Sequence, residues 1–400
     1  MLRTAIIILW AINIIKVTAI PIPIPNAVYY GSFALVALLL LIYEGRNCKI
    51  STFILLFVLT ALLSTAFNSI VNPDIAFFKP LDRIAGFVMM MIAIGPLFIY
   101  ANKEPQQLLY TLLSWSFTII TLLSFLFYIL GMGFVYKRSM FVGVSIHAMI
   151  LGPISGITML NLIHQLFIAK ENKIKVMYGM GIVIALLTCF LAGSRGALAA
   201  GLFSAAFLIF KQYSLRICTA ILAATIIIGI FTVPVWLPYT ETMQKKIEYA
   251  SEVGHSSRDA LWNDRIKEFE DSPIIGQGFA SINRMVATRT PFSIVTRSLE
   301  PGSSWLFILS SLGIMGFGLF IAMLIKACHE FVMAKEYTPD IWHTAILFFF
   351  FVHFFIEGYV LHSGGILFVF FWLTLYMNFR SIYDKSFIDN KPSGTLYKSV

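Results

Sequence analysis

The residues of this sequence that could do chemistry are mainly arginines, and the first of them is Arg195 in the tetrapeptide Gly-Ser-Arg-Gly at 193–196. The tetrapeptide lies between two apolar runs. A helix that begins there presents free backbone N–H groups and the positive end of its dipole, which together favour an anion. An ionisable residue in such a position is a candidate functional group. The alternative is that Arg195 only extends to the lipid headgroups.

A second group of arginines lies in the polar segment that precedes the apolar run at 304–325. Residues 272–299 contain Arg284, Arg289 and Arg297 and no acidic residue. The planar guanidinium group binds phosphate oxygens in pairs and stays charged at any physiological pH. A cluster of arginines beside a membrane therefore suits a lipid-linked phosphate or diphosphate. The alternative is a solvated basic loop.

The elements that must position these arginines are membrane spans. Of the 400 residues, 58% are hydrophobic and 12% are charged, whereas a soluble domain has about 25% charged residues. This composition excludes a cytosolic enzyme, a DNA-binding protein and a disulfide-stabilised secreted domain. A span needs about 20 apolar residues. The sequence predicts an all-α integral membrane protein with about twelve transmembrane helices, at 4–20, 27–43, 52–67, 84–100, 108–130, 141–168, 175–192, 197–210, 216–234, 304–325, 341–357 and 361–378.

The runs divide the chain into three parts: nine spans in 1–234, a long outer loop in 235–303, and three spans with a tail in 304–400. Lysine and arginine are most frequent in the loops that share a side with both termini, which predicts cytoplasmic termini. The net charge of +9 then reflects orientation in the membrane and indicates no nucleic-acid partner. The cysteines lack the spacing of a metal site or a disulfide framework.

The long loop is predicted to contain an amphipathic helix that lies on the outer membrane surface. Ser256 and Asp259 fit a capping box at its start. Residues Leu261, Trp262, Ile266 and Phe269 share one face, and Asp264, Lys267, Glu268 and Asp271 lie on the others. Pro273, Gly276 and Gly278 end the helix.

Three stretches in chain order resemble the O-antigen ligase and Wzy-type O-antigen polymerase superfamily, and a fourth, before them in the chain, resembles it more weakly. A serine-arginine-glycine turn between two spans is followed by an R-x-x-x-W helix, a P-x-x-G-x-G turn, and a span that opens near G-x-x-G. The stretches are GSRGALAAG (193–201), SSRDALWNDRIKEFEDSPIIGQGF (256–279) and EPGSSWLFILSSLGIMG (300–316), with a weaker likeness in KRSMFVGVSIHAMILG (137–152).

The resemblance implies a glycosyltransferase of the GT-C type in the bacterial inner membrane. Such an enzyme takes a glycan from undecaprenyl diphosphate at the outer face, inverts the anomeric carbon, and needs neither a metal nor another cofactor. A polymerase adds the glycan to another lipid-linked chain, and a chain-length regulator protein is then a further partner. A ligase adds it to the lipid A core.

One departure from the ligase pattern favours the polymerase. Ligases carry a His-Asn pair just before the span that follows the long loop, and this sequence has Gly302 and Ser303 there. A transporter or a lipid-linked oligosaccharide flippase is the alternative from another class. The absence of an evident inverted repeat and the presence of a large outer loop argue against it.

The resemblance and the residue types together give a set of candidate site residues. The loops show no DxD pair for Mg²⁺, so arginine must neutralise the charge of the departing diphosphate. Two residues are candidates for the base that deprotonates the acceptor, although Glu300 could instead pair with Arg297 and His255 could be a plain loop histidine. His353 and Glu357, four residues apart on the eleventh span, could tune the acceptor site but are predicted to pair with each other. The diphosphate candidates are Arg195 and Arg258, then Arg284, Arg289 and Arg265; the base candidates are Glu300 and His255; and Arg138 and His147 are candidates for substrate contact.

Overall fold

The computed structural model describes residues 1–20, 22–71, 80–137, 140–219, 258–283, 301–334 and 337–389. Helices make up most of these residues. They are α1 (Leu2–Val17), α2 (Asn26–Glu44), α3 (Thr52–Val71), α4 (Pro80–Ile94), α5 (Glu104–Ile129), α6 (Ala148–Ile168), α7 (Asn172–Leu191), α8 (Arg195–Gln212), α9 (Asp259–Asp271), α10 (Ser304–Met333), α11 (Ile341–His353) and α12 (Ile366–Asp389). The strand pairs β1 (Lys49–Ile50) with β2 (Phe98–Ile99) and β3 (Tyr136–Lys137) with β4 (Met140–Phe141) are short and antiparallel.

Within the described ranges, six helices are long and apolar enough to cross a membrane: α2, α5, α6, α7, α10 and α12. Helices α3 and α11 are apolar but shorter. A helix of 20 residues is about 30 Å long, which matches the hydrocarbon core of a bilayer. The chain is therefore a multi-pass α-helical membrane protein, as the sequence predicts. The count of twelve spans and the orientation of the termini stay predictions.

Two of the predicted spans have different limits in the structure. The run at 141–168 becomes helical only at Ala148, because β4 and a turn with Gly143 at φ +57° precede the helix. The run at 341–357 ends as a helix at His353, and α12 begins at Ile366. Residues 354–365 therefore form a loop between α11 and α12, which we call the α11–α12 loop.

The contacts at the two ends of the bundle involve different segments of the chain. At the first, which we call the motif end, the residue after α1 pairs with the segment before α6 (Thr18 with Ser145), and Lys16 donates to the carbonyl of Gly364. At the opposite end, Lys103 pairs with Asp384 at 3.1 Å and Arg380 donates to the carbonyl of Tyr100. The Gly-Ser-Arg-Gly turn, the start of α9 and the start of α10 all lie at the motif end.

The P-x-x-G-x-G turn that follows α9 docks into a break in α10. Gly313 interrupts α10 with φ 62° and ψ −166°, a conformation that essentially only glycine adopts. The exposed backbone of α10 bonds to the turn: the N–H of Gln277 donates to Ser310 O at 2.8 Å, and the N–H of Ile314 donates to Pro273 O at 2.8 Å. Non-helical backbone at this depth is stable because protein groups satisfy its hydrogen bonds. The docked turn holds α9 against the bundle.

Candidate functional site

Arg258 is the N-cap residue of α9, and its guanidinium group reaches the α11–α12 loop. One nitrogen, Nη2, donates to Oε1 of Glu357 at 2.6 Å, and Nη1 donates to the carbonyl of Gly302 at 3.1 Å. The two charged side chains are 20% and 18% exposed. The ion pair thus lies at the border between the protein interior and its surroundings, where a substrate can reach it.

The start of α10 fixes the backbone around Glu357. The N–H and the hydroxyl of Ser304 both donate to the carbonyl of Glu357, at 3.0 and 2.6 Å. The same hydroxyl accepts a hydrogen bond from the N–H of Tyr359 at 3.1 Å. A Cβ at Gly358 would lie 2.7 Å from that of Pro301, so the close approach of these two segments requires glycine. The Glu357 carboxyl group is therefore held in place before any substrate binds.

Arg195 lies beside the same loop, on a different helix. Gly193, with φ +65°, ends the preceding helix, and Arg195 is the first residue of α8. Its side chain is exposed, and it forms no ion pair with a residue in the described part of the chain. The next residue, Gly196, packs so closely on Ile356 that a Cβ would lie 2.7 Å from its Cδ1. The turn of Arg195 and the side chain of Arg258 thus contact consecutive residues, Ile356 and Glu357.

Helix α9 buries part of the face that is predicted to be polar. Asp264 and Glu268 are buried, together with Arg265, and Ile266 is exposed, contrary to the prediction, whereas Lys267 and Asp271 are exposed as predicted. The burial of Glu268 is possible because the segment after α9 supplies polar partners: the N–H of Asn283 donates to Glu268 Oε1 at 2.8 Å, and Gln277 donates to the carbonyl of Glu268. The helix begins at Asp259 rather than directly after Ser256.

Arg265 and Glu268 form a buried ion pair, with 2.8 Å between Nη2 and Oε1. Burial raises the pKa of Glu268 to about 7, although Arg265 and the N–H of Asn283 lower it. Burial also lowers the pKa of Arg265, and this effect is larger than that of the Glu268 charge, which raises the pKa. Arg258 and Arg265, two turns apart, therefore differ in surroundings: Arg258 is accessible and Arg265 lies in the interior.

The remaining predicted residues are placed as follows. His147 is the N-cap of α6, and its Nδ1 accepts the N–H of Met149 at 3.1 Å, so it precedes the helix instead of lying within the span. Gly152, in the next turn of α6, packs against Ser194 of the Gly-Ser-Arg-Gly turn. Five predicted residues lie outside the described residues: Arg138, His255, Arg284, Arg289 and Glu300.

The predicted partner of Glu357 is wrong. His353 does not pair with it; the imidazole Nδ1 of His353 lies 2.8 Å from the hydroxyl of Tyr359, and Glu357 pairs with Arg258 instead. Glu357 is the only acidic residue between 341 and 378, and Lys16 is the only charged residue between 4 and 43. Each is isolated in an apolar stretch, and the isolation that singles out Glu357 in the sequence could also have identified Lys16 as a functional candidate.

A cavity of about 260 Å³ lies on the other side of Glu357, between α1, α2, the start of α6 and the α11–α12 loop. Its polar lining includes Lys16, Asn13, Tyr29 and Glu357. Lys16 Nζ lies 3.6 Å from the centre of the Tyr29 ring and donates to Gly364 O at 3.2 Å. Burial, together with the charges of Arg83 and Lys16, lowers the pKa of His362, in the same loop, to about 4.

The arrangement can hold an anion next to a carboxylate. The side chain of Arg258 reaches the α11–α12 loop, and the N-terminus of α8, which begins with Arg195, packs on the same loop through Gly196 and adds its dipole. Among the described residues, no group of His, Cys, Asp and Glu side chains could hold a metal ion. Guanidinium groups and backbone N–H groups at this place could stabilise charge that develops on a substrate.

Comparison with known families agrees with these features. Residues 180–321 match the family model Wzy_C, described as O-antigen ligase. The match extends from α7 through the Gly-Ser-Arg-Gly turn, α9 and the docked turn into α10, so it contains both Arg195 and Arg258. It confirms the resemblance to the O-antigen ligase and polymerase superfamily. No curated protein matches the chain.

Proposed function

We propose that this chain, whose residues 180–321 match the O-antigen ligase family, polymerises glycan repeats that are carried on undecaprenyl diphosphate. Members of the family are membrane glycosyltransferase-like enzymes. The observation that carries the proposal is that the Gly-Ser-Arg-Gly turn, through Gly196, and the side chain of Arg258 contact consecutive residues of one loop, Ile356 and Glu357. In this proposal the chain is an inverting, metal-independent enzyme of the bacterial inner membrane, with twelve spans, a GT-C architecture and both termini in the cytoplasm.

The two arginines would bind the diphosphate of the donor. As the bond between the anomeric carbon and the diphosphate breaks, negative charge grows on the leaving oxygen, and preorganised cations stabilise it best. Arg195 stands at the N-terminus of α8, where backbone N–H groups also face an anion. Arg258 adds a second guanidinium group from α9. Arg284 and Arg289 extend this set in the proposal, whereas Arg265, being buried against Glu268, supports α9 from within.

The surroundings of Gly302 favour a polymerase over a ligase. The residue has φ +82°, and a Cβ there would lie 2.8 Å from that of Leu261. A histidine does not fit at this position, so the chain has no room for the imidazole that ligases carry there. The next residue, Ser303, caps α10 by accepting the N–H of Leu306 at 3.5 Å. A ligase that transfers glycan to the lipid A core remains the second candidate within the family.

Other parts of the proposal concern the acceptor and the partners. The candidates from the sequence for the base that deprotonates the acceptor hydroxyl are Glu300 and His255, and Arg138 and His147 are proposed substrate contacts. Glu300 directly precedes Pro301, which packs on Gly358 beside the Arg258–Glu357 pair. A chain-length regulator protein is the proposed protein partner.

The test is chain growth by the purified full-length protein in detergent, with a lipid-diphosphate oligosaccharide as the substrate. We expect chain growth in the wild type and a loss of about 100- to 1,000-fold in R195Q or R258Q, the usual cost of removing one preorganised donor. R216Q is the matched control, because Arg216 is an exposed arginine that follows the other end of α8. Wild-type rates in R195Q and R258Q would refute the diphosphate site.

The same assay separates the alternatives. A flippase gives no chain growth in detergent, where no membrane separates two compartments. A ligase transfers the glycan to added lipid A core and leaves the second lipid-linked chain unextended. Either result would exclude the polymerase.

A further inference from the structure

The cavity behind Glu357 has the size of a site for one sugar ring. An apolar cavity of about 150 Å³ admits benzene, and this one measures about 260 Å³. It is therefore large enough for a six-membered ring with its hydroxyl groups and too small for an oligosaccharide. Its rim at Ile146 and Met149 is exposed, so a ligand can enter from outside.

The polar wall of the cavity is ordered by its own hydrogen bonds. Lys16 is held by the carbonyl of Gly364 and by the face of Tyr29. The hydroxyl of Tyr29 donates to Oδ1 of Asn13 at 3.4 Å, and the amide of Asn13 donates to the carbonyl of Leu9 at 2.8 Å. These side chains are fixed before a ligand binds, so binding costs little side-chain entropy. The rest of the lining is apolar, with Val17, Ile150 and Leu367, and can pack against the C–H groups of a sugar ring.

Glu357 connects this cavity with the arginines. Glu357 lines the cavity, and its carboxyl group pairs with Arg258 at 2.6 Å. The side chain of Arg258 reaches the α11–α12 loop from α9, and the turn of Arg195 contacts this loop through Gly196, whereas Lys16 reaches it from α1. A ligand in the cavity and a diphosphate at the arginines would therefore flank Glu357.

We propose that the cavity is the acceptor-sugar subsite and that Glu357 is the base that deprotonates the acceptor hydroxyl. This inference rests on the proposed transferase function. The acceptor oxygen forms a bond to the anomeric carbon of the donor, and its proton moves to the Glu357 carboxylate. The bond between that carbon and the diphosphate oxygen breaks, and its electron pair leaves with the lipid diphosphate, whose charge the arginines balance. No oxidant, reductant or metal takes part.

Two substitutions test the base and the cavity separately. E357Q keeps an oxygen that can accept from Arg258 but removes the basic group. G365F fills the cavity: Gly365 lines it, and a Cβ there meets no atom within 4 Å. Its control is G31F, because a Cβ at Gly31 also meets no atom within 4 Å and that residue is exposed elsewhere on α2.

The kinetic assay uses the purified full-length protein, a lipid-diphosphate glycan as the donor, and the free repeat oligosaccharide as the acceptor. The free oligosaccharide has no leaving group, so its KM is measured separately from that of the donor. We expect E357Q to lower kcat by about 100- to 10,000-fold and to remove the acidic limb of the pH–rate profile. G365F should raise the acceptor KM at least tenfold with the donor KM unchanged, and G31F should behave as the wild type.

A wild-type kcat and pH profile in E357Q, or a wild-type acceptor KM in G365F, would overturn the inference. If E300Q rather than E357Q removes the acidic limb, Glu300 is the base and the assignment of Glu357 is wrong. Thermal unfolding identifies a variant that does not fold, and E357D then replaces E357Q, with an expected loss of kcat at unchanged donor KM.

Binding distinguishes failure of this inference from failure of the proposed function. Saturation-transfer NMR of the free repeat oligosaccharide needs no turnover. We expect a signal with the wild type and with G31F and none with G365F. If the wild type binds the oligosaccharide but never extends a chain, the sugar site stands and the transferase function fails. If chains grow but G365F binds the oligosaccharide as well as the wild type does, the transferase function stands and the cavity assignment fails.

Discussion

The break in α10 gives the sharpest prediction about stability. In G313A, alanine must adopt φ 62° and ψ −166°, which costs about 1–3 kcal/mol. Its Cβ would lie 2.3 Å from the carbonyl carbon of Ile274, so the docked turn must move. The hydrogen bonds from Ile314 N to Pro273 O and from Met315 N to Ile274 O are then lost.

Each of these hydrogen bonds contributes about 0.5–1.5 kcal/mol. The free energy of unfolding of G313A should therefore fall by about 2–6 kcal/mol. The control is G318A, five residues along the same helix, where a Cβ meets no atom within 4 Å. Its free energy of unfolding should be unchanged or higher by up to about 1 kcal/mol, because alanine is the better helix former.

The assay is reversible unfolding by SDS in mixed micelles, followed by hydrogen exchange at the amides of Gln277 and Gly278. Faster exchange at these amides in G313A, with no change in G318A, would locate the loss at the docked turn. Equal unfolding free energies for G313A and G318A would refute the argument that glycine is required at the break.

Three further predictions concern the same end of the bundle. R265M should lower the free energy of unfolding by about 3–5 kcal/mol, because Glu268 is left buried and unpaired. Adding E268M should recover most of the loss. SDS unfolding measures both variants, and an equal loss in the double variant would contradict this prediction. His362 has a pKa of about 4 in the folded protein and about 6.5 when unfolded. Its contribution of about 3 kcal/mol is present above pH 6.5 and is lost as the pH falls through 4. H362Q should flatten that part of the unfolding curve against pH, and an unaltered curve would contradict the assignment. G196V should push Ile356 away and lower transferase activity, while its helical content and unfolding transition stay those of a folded protein. Full activity in G196V would show that the contact is dispensable.

The positions of most helices follow from the sequence, because an apolar run of sufficient length has few alternatives in a membrane. The motif order also predicts that the Gly-Ser-Arg-Gly turn and the helix of Arg258 belong to one site. Both elements contact the α11–α12 loop, through Gly196 and Arg258. The family match supports the same grouping.

The length of the α11–α12 loop is hidden in the sequence because its flanks are continuously apolar. The sequence predicts a break of only three residues, 358–360, whereas the loop covers residues 354–365. The fold of the loop depends on Ser304, whose hydroxyl and N–H satisfy its backbone. Ser304 is 53 residues from Glu357, and no pattern of local spacing predicts such a contact.

The burial of the charged face of α9 could not be read from periodicity either. Hydrophobic periodicity assumes that the core is apolar. Here Gln277 and the N–H of Asn283 satisfy the polar groups of Glu268, and Arg265 balances its charge. The charged residues face inward because the docked turn brings these partners to them.

The most direct measurement is the affinity of the protein for undecaprenyl diphosphate in lipid nanodiscs. A charge-assisted hydrogen bond contributes about 1.5–3 kcal/mol. R195Q and R258Q should therefore each raise the dissociation constant by about 10- to 100-fold, and R216Q should leave it at the wild-type value. Equal dissociation constants in all four proteins would contradict the claim that Arg195 and Arg258 bind the diphosphate.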